Sequence, residues 1–386
     1  MNTYTQLSQQ EYDNIRFGSI TAEEAFSYLQ SGITPRNFSD TLAKFYAGED
    51  LKERLIERLL EYNPGSVRDS ISKKVRGWLN GGYEPSDRET VLQICFALDL
   101  DENSANEFLG FTSDCTIHYR NPRELSYAFA LRTGMGYADA VKLYESLPPI
   151  PESKETSLKN EKVYTETIFN DFYKVKTPLQ FKEFINTNLD NLGRMHNTAF
   201  YYFKTMIDCL KAPDEYLGYL FDKDEDWKNS EVLSIEAITE RYLRMNVPSG
   251  ASKGKATPIE KLIKQYWPSA TSIKCMCSRT EDIKRKVLIL LYIITEGIAD
   301  DVNWSMITDE DQLSPEELFE EHFDRICIML YDCGMALPDP RNLFDWVALY
   351  AIKMNHDEAM SDELQAILSR IFNTETNATD NIEDGL

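Results

Sequence analysis

Apolar residues recur along this chain at the three-to-four-residue spacing of amphipathic helices, and no stretch shows the two-residue alternation of a half-buried strand. The clearest case is LKERLIERLLEY (51–62). Leu51, Leu55, Ile56, Leu59 and Leu60 fall on one face, with Lys and Glu on the other. Thr21 as N-cap, with Glu23 and Glu24 behind it, predicts a helix over 20–31 that stops at Gly32. Pro35 opens the next segment, and Pro64-Gly65 ends the helix over 51–62. Ile71, Val75, Trp78 and Leu79 lie at i, i+4, i+7 and i+8, which predicts a helix over 67–79 closed by Asn80-Gly81-Gly82. Ser86 or Asp87 caps a helix over 88–98, and Asp101 or Ser104 opens a short one ending near Leu109. PRELSYAFALRTG (122–134) and GYADAVKLYESL (136–147) form a helical hairpin.

Composition shifts divide the chain further. PPIPESKETSLKNEK (148–162) reads as a linker, followed by a helical region over 163–246. VPSGASKGKATP (247–258) reads as a locally basic loop or linker. A helical bundle over 259–373 follows, with helices near 258–267, 281–297, 315–333, 341–354 and 361–372. In DPRNLFDW (339–346), Asn342 is a candidate cap that would send Trp346 inward. The tail, 374–386, is polar, acidic and read as disordered.

Composition narrows the function classes. With 42% hydrophobic and 12% aromatic residues the 386-residue chain can build real cores, and its length suggests two or three domains. A net charge of −23 excludes a protein whose whole surface meets nucleic acid or an anionic membrane, so any DNA contact must come from a local basic patch. The longest apolar run, Val287 to Ile294, is too short to span a bilayer, which takes about 20 residues. It reads as a core helix. No basic stretch followed by an apolar one opens the sequence, which argues against a signal peptide. The seven cysteines are odd in number and scattered, as reduced thiols of a cytoplasmic protein are. Cys275 and Cys277 form a CxC pair without a second pair nearby or zinc-finger histidine spacing, so no metal is assigned.

The most specific layout is SVRDSISKKVRGWLNGGYEPSDRETVLQICFALDLDENSANEFL (66–109). A polar, basic helix ends in Trp78 and a glycine turn. Pro85 follows, then an apolar helix carrying Thr90, Leu92, Ile94 and Leu98. The buried stripe turns Arg68, Ser70, Lys73, Lys74, Arg76 and Asn80 outward. Over 64–82, four basic residues stand against Asp69 alone. Short polar and cationic side chains on such a face suit phosphates and base edges of a major groove. The layout resembles the second half of lambda-repressor/Cro-type helix-turn-helix domains, in which a recognition helix with a late tryptophan is followed by glycine, proline and an apolar helix. The resemblance extends loosely over 35–110. It departs in the preceding helix, where the family's short Q-x-x-L-A segment and tight turn give way to 51–62 and Asn63-Pro64-Gly65-Ser66. A fainter echo at 272–293 has a basic lead in Lys284, Arg285 and Lys286. IHYRNPREL (117–125) and DPRNLFDW (339–346) make the whole chain similar to uncharacterised helix-turn-helix proteins of Gram-positive gut bacteria and their mobile elements.

Catalytic patterns do not emerge. Gly134-Met135-Gly136 has no strand before it and reads as a helix-helix turn, not a dinucleotide fingerprint. His118, His196, His322 and His356 show no mutual metal or base spacing, and His118-Tyr119-Arg120 reads as a polar surface cluster. Glu316-Glu317 and Glu320-Glu321 read as solvated helix faces. The sequence therefore predicts an all-α protein. A helix-turn-helix-like domain with its hairpin occupies 1–147, and two further helical bundles follow. The expected function is a non-enzymatic, cytoplasmic transcriptional regulator that binds double-stranded DNA, needs no cofactor, and uses its acidic helical region to sense a signal, homodimerise or bind a protein partner. The alternative is an interaction adaptor of a defence or mobile-element system, with the helix-turn-helix unit as scaffold.

Overall fold

The computed structural model describes residues 5–18, 21–81, 83–85, 87–112, 115–149, 165–193, 195–211, 233–245, 247–248, 257–295, 313–353 and 359–372. Among these the protein is all-α, with nineteen helices and one isolated antiparallel bridge, Cys115 to Met335. No described helix is long and apolar enough to cross a membrane. Most of the linker over 148–162, most of the loop over 247–258, the whole tail, Gly82, Ser86 and His356 lie outside the described residues. Backbone contacts divide the chain into two units, 36–198 with 330–336, and 1–35 with 199–329 and 337–386.

The chain opens in the second of these. α1 (Gln6–Phe17) starts at Thr5, and α2 (Ala22–Ser31) starts at a capping box in which Thr21 and Glu24 satisfy each other's amides.

The 36–198 unit holds α3 (Phe38–Phe45), α4 (Leu51–Tyr62), α5 (Arg68–Leu79), α6 (Arg88–Ala97), α7 (Glu102–Thr112), α8 (Pro122–Thr133), α9 (Tyr137–Glu145), α10 (Thr165–Tyr173) and α11 (Pro178–Thr187). One hydrophobic core runs through them, with Leu55 and Leu59 of α4, Val75 and Trp78 of α5, Ile94 of α6, Phe108 of α7 and Phe129 of α8 all buried. Asp87 is the cap that α6 uses, accepting from the Thr90 amide at 2.8 Å. α8 ends where Gly134 turns left-handed at φ +71, a conformation without penalty only for glycine. Two partly buried arginines tie the helices. Arg88 grips Glu124 through Nε at 2.6 Å and Nη2 at 2.7 Å, and Arg132 grips Glu102 at 2.5 and 2.8 Å while donating to the Phe172 carbonyl.

The remaining helices complete the split unit: α12 (Asn197–Lys211), α13 (Ile235–Ile238), α14 (Pro258–Tyr266), α15 (Ala270–Cys277), α16 (Arg285–Ile294), α17 (Pro315–Asp332), α18 (Leu343–Ala351) and α19 (Met360–Ile371). α16 is the core helix its apolar run predicts, buried over its whole length. Asn342 caps α18, accepting from the Phe344 and Asp345 amides, and Trp346 is fully buried, stacked on Tyr350 at 5.9 Å. Of the basic lead of the fainter echo, Lys284 is exposed and pairs with Glu281, but the other two residues are not surface features. Arg285 and Lys286 are 2% and 5% exposed, because Asp345 of α18 takes the Arg285 guanidinium and the Phe344 ring takes the Lys286 ammonium.

Candidate nucleic-acid interface

α4 and α5 pack against each other, joined by residues 63–67. α5 holds its orientation through Ile71, Val75 and Trp78, which are 7%, 0% and 2% exposed, and through the Trp78 ring set edge-on to Phe38 at 6.1 Å. Its C-terminus is fixed twice. Gly81 takes φ +67 just beyond the Asn80 cap, and Ser39 of α3 donates its hydroxyl to the Leu79 carbonyl at 3.0 Å.

All six residues expected on the outer face are exposed: Arg68, Ser70, Lys73, Lys74, Arg76 and Asn80. They do not form one patch. Asp69, Lys73, Arg76 and Asn80 recur at i, i+4, i+7 and i+11 and share the outermost stripe, while Ser70 and Lys74 flank it. Arg68 lies on the edge facing α4. Its Nη1 is 2.7 Å from Glu57 Oε1 and its Nη2 is paired with Glu53. These ion pairs are half in solvent and add little stability, but they occupy the arginine. No carboxylate among the described residues pairs with Lys73, Lys74 or Arg76. The freely available charge is therefore three cations, with Asp69 between them.

Sequence spacing missed Tyr83. Its ring lies flat along α5 over Gly77, where a β-carbon would come within 2.2 Å of it, and its hydroxyl donates to the Lys73 carbonyl at 3.3 Å. The missing side chain at Gly77 was the available signal, since glycine inside a helix costs about 1 kcal/mol against alanine and marks a close approach. Gly77→Ala is expected to leave the unfolding free energy within about 1 kcal/mol of wild type, because the helix-propensity gain offsets the displaced ring. Tyr83 should then nitrate faster in peptide-mapped labelling. Unchanged labelling would show that the ring does not depend on that gap.

The histidine readings change. His118, Tyr119 and Arg120 are not a surface cluster but are 4%, 5% and 2% exposed. The His118 ring packs on His196 at 3.7 Å, and its backbone amide donates to Glu124 at 2.7 Å. Burial, then the charges of His196, Arg88 and Arg120, holds its pKa well below the usual histidine value. His322 is buried beside Tyr292, whose hydroxyl lies 2.9 Å from Nδ1. Both imidazoles are buried. Glu320 pairs with Arg16 in a partly exposed contact, whereas Glu321 is not a solvated face but is largely buried with Arg325, which it pairs with one turn on. Among the described residues no group of three His, Cys, Asp or Glu is placed to hold a metal ion. Comparison of the chain with protein-family models, with curated proteins and with solved structures finds no match.

Proposed function

We propose that the chain is a DNA-binding transcriptional regulator in which α4 and α5 act as a helix-turn-helix and α5 enters the major groove. The observation that carries this reading is the division of α5 into a buried apolar stripe and a solvent-facing polar one whose Lys73, Lys74 and Arg76 are ion-paired with none of the described residues. Lys73, Lys74 and Arg76 supply phosphate attraction, while Ser70 and Asn80 supply the short hydrogen-bonding groups that reach base edges. The acidity of the rest of the chain confines attraction to this face.

The test is fluorescence anisotropy against sheared genomic DNA at several salt concentrations. Wild-type binding should weaken as salt rises, and Lys73→Glu, Lys74→Glu and Arg76→Glu together should lower affinity by on the order of a hundredfold and flatten the salt dependence. The three side chains are exposed, so the variant keeps its fold. A wild-type protein with no salt-dependent binding ends the reading.

One observation favours the alternative of a non-enzymatic interaction adaptor using the same helices as scaffold. Arg68, the first cation of α5, is already held by Glu53 and Glu57. In that case a protein partner would co-purify unchanged by nuclease treatment, and DNA binding would be absent.

A further inference from the structure

In the split unit, a cavity of about 610 Å³ opens where the segment after α13 meets the end of α16 and the start of α19. Two backbone irregularities lie in its wall. Residues Thr239–Leu243 continue α13 as a π-helix, a rare geometry that is frequent at functional sites. Met245 has φ +41, which is left-handed for a long side chain and costs about 1–3 kcal/mol unless the surroundings enforce it. Strain of this kind is retained where it shapes something, and here it shapes the wall of the cavity.

The chemistry of the lining is divided. The floor is apolar, with Val247 and Ile294 at 5% and 3% exposure. The rim carries four charges, of which Arg244 and Glu240 are paired with each other. Arg241 and Asp362 remain, both exposed and neither ion-paired with a described residue. The exposed Arg241 guanidinium is steadied over the Tyr242 ring at 5.2 Å. A lone positive and a lone negative group on one rim do not select a phosphate or a polyamine, since each would meet one like charge. A bare ion would leave the apolar floor unused. The volume is that of small-molecule sites.

We propose that this cavity binds a small zwitterion of the amino-acid type, with its carboxylate on Arg241, its ammonium on Asp362 and its apolar side chain over Val247 and Ile294. Arg241 can hold a carboxylate through two parallel N–H donors, and Asp362 accepts from an ammonium. In a regulator this would be the sensing site, and only that label rests on the DNA-binding reading. Ligand binding is measured without DNA, so either proposal can fail while the other stands.

The experiment is thermal unfolding of the full chain with millimolar L-leucine or L-phenylalanine as probes. N-acetyl-L-leucine, which lacks the ammonium, and L-leucinamide, which lacks the carboxylate, are the controls. At least one free amino acid should raise Tm by about 3 °C, as saturation of a native-state site does. Both blocked analogues should give less than half that shift. Arg241→Ala and Asp362→Asn should each remove the shift while leaving the Tm of the unliganded protein unchanged, because both side chains are exposed. The proposal is overturned if no apolar amino acid shifts Tm, if the blocked analogues shift it equally, or if the shift survives in Arg241→Ala.

Discussion

Asp345→Ala is expected to lower the stability of the split unit by about 3–5 kcal/mol, against the roughly 5–15 kcal/mol of a typical domain. Arg285 and Asp345 meet as a two-pronged pair, Nη1 to Oδ1 at 2.8 Å and Nη2 to Oδ2 at 2.9 Å, with each side chain only 3% exposed. Asp345 Oδ2 also accepts the Asp339 amide at 2.9 Å, so the carboxylate holds the turn before α18 as well. Removing it strips a buried guanidinium of its counter-charge, and the loss exceeds the net worth of the pair. The double variant Arg285→Met, Asp345→Leu removes both charges and should recover most of the stability. Urea unfolding followed by tryptophan fluorescence is suited to the comparison, since Trp346 is the next residue and lies in the same core. A cost below about 1 kcal/mol for Asp345→Ala would mean that water or a neighbouring carboxylate replaces the partner.

Acidification should destabilise the same unit through His322. Burial, then the charge of Arg325, lowers its pKa to about 4, whereas the unfolded chain titrates near 6.5. The unfolded state therefore binds the proton first. The stability that comes from keeping the ring neutral is complete above about pH 6.5 and disappears as pH falls toward 4. The gap corresponds to about 3 kcal/mol. Carboxylates titrate in the lower part of this range too, so the diagnostic quantity is the difference between wild type and His322→Gln. Unfolding free energy from pH 7 to 4.5 should fall less steeply in the variant, and parallel curves would exclude His322 as the source. In the 36–198 unit His118 acts with the same sign, facing His196, Arg88 and Arg120 across loops that also lock through the Gly193 amide to the Arg120 carbonyl at 2.9 Å.

What could be read from the sequence was local. The Thr21–Glu24 capping box, the Ile71–Val75–Trp78 stripe, the Asn342 cap and the glycine stops at 81 and 134 depend on neighbours within a few positions. Each determines a helix end or a face without the rest of the chain. Residues whose environment comes from far away misled. Lys284-Arg285-Lys286 makes its segment locally basic, but only Lys284 stays exposed, since Asp345, sixty positions on, claims the arginine. His118-Tyr119-Arg120 looks polar and superficial until His196 and Asn191 close over it. On the candidate interface, spacing found all six outward residues, but not that α4 would take Arg68 or that Tyr83 would fold back over Gly77. Both depend on how separate segments meet. The cavity beside residues 239–245 had no signature at all, because a π-turn and a left-handed methionine are imposed by tertiary packing rather than by propensity.

The guanidinium of Arg341 donates to the Thr34 carbonyl across 307 positions of chain, and Arg370 pairs with Glu23. α2 and the segment after it are thus completed by residues more than three hundred positions later. At a synthesis rate of about 5–20 residues per second, Thr34 waits roughly 15–60 s for Arg341 to emerge. During that interval Ala25 and Leu29, buried in the finished protein, have no α19 to cover them. The 36–198 segment can meanwhile gather its own core, so it forms ahead of the unit whose segments flank it. Nascent-chain pulse labelling should accordingly find α2 gaining protection after α4 to α9, although it is synthesised before them.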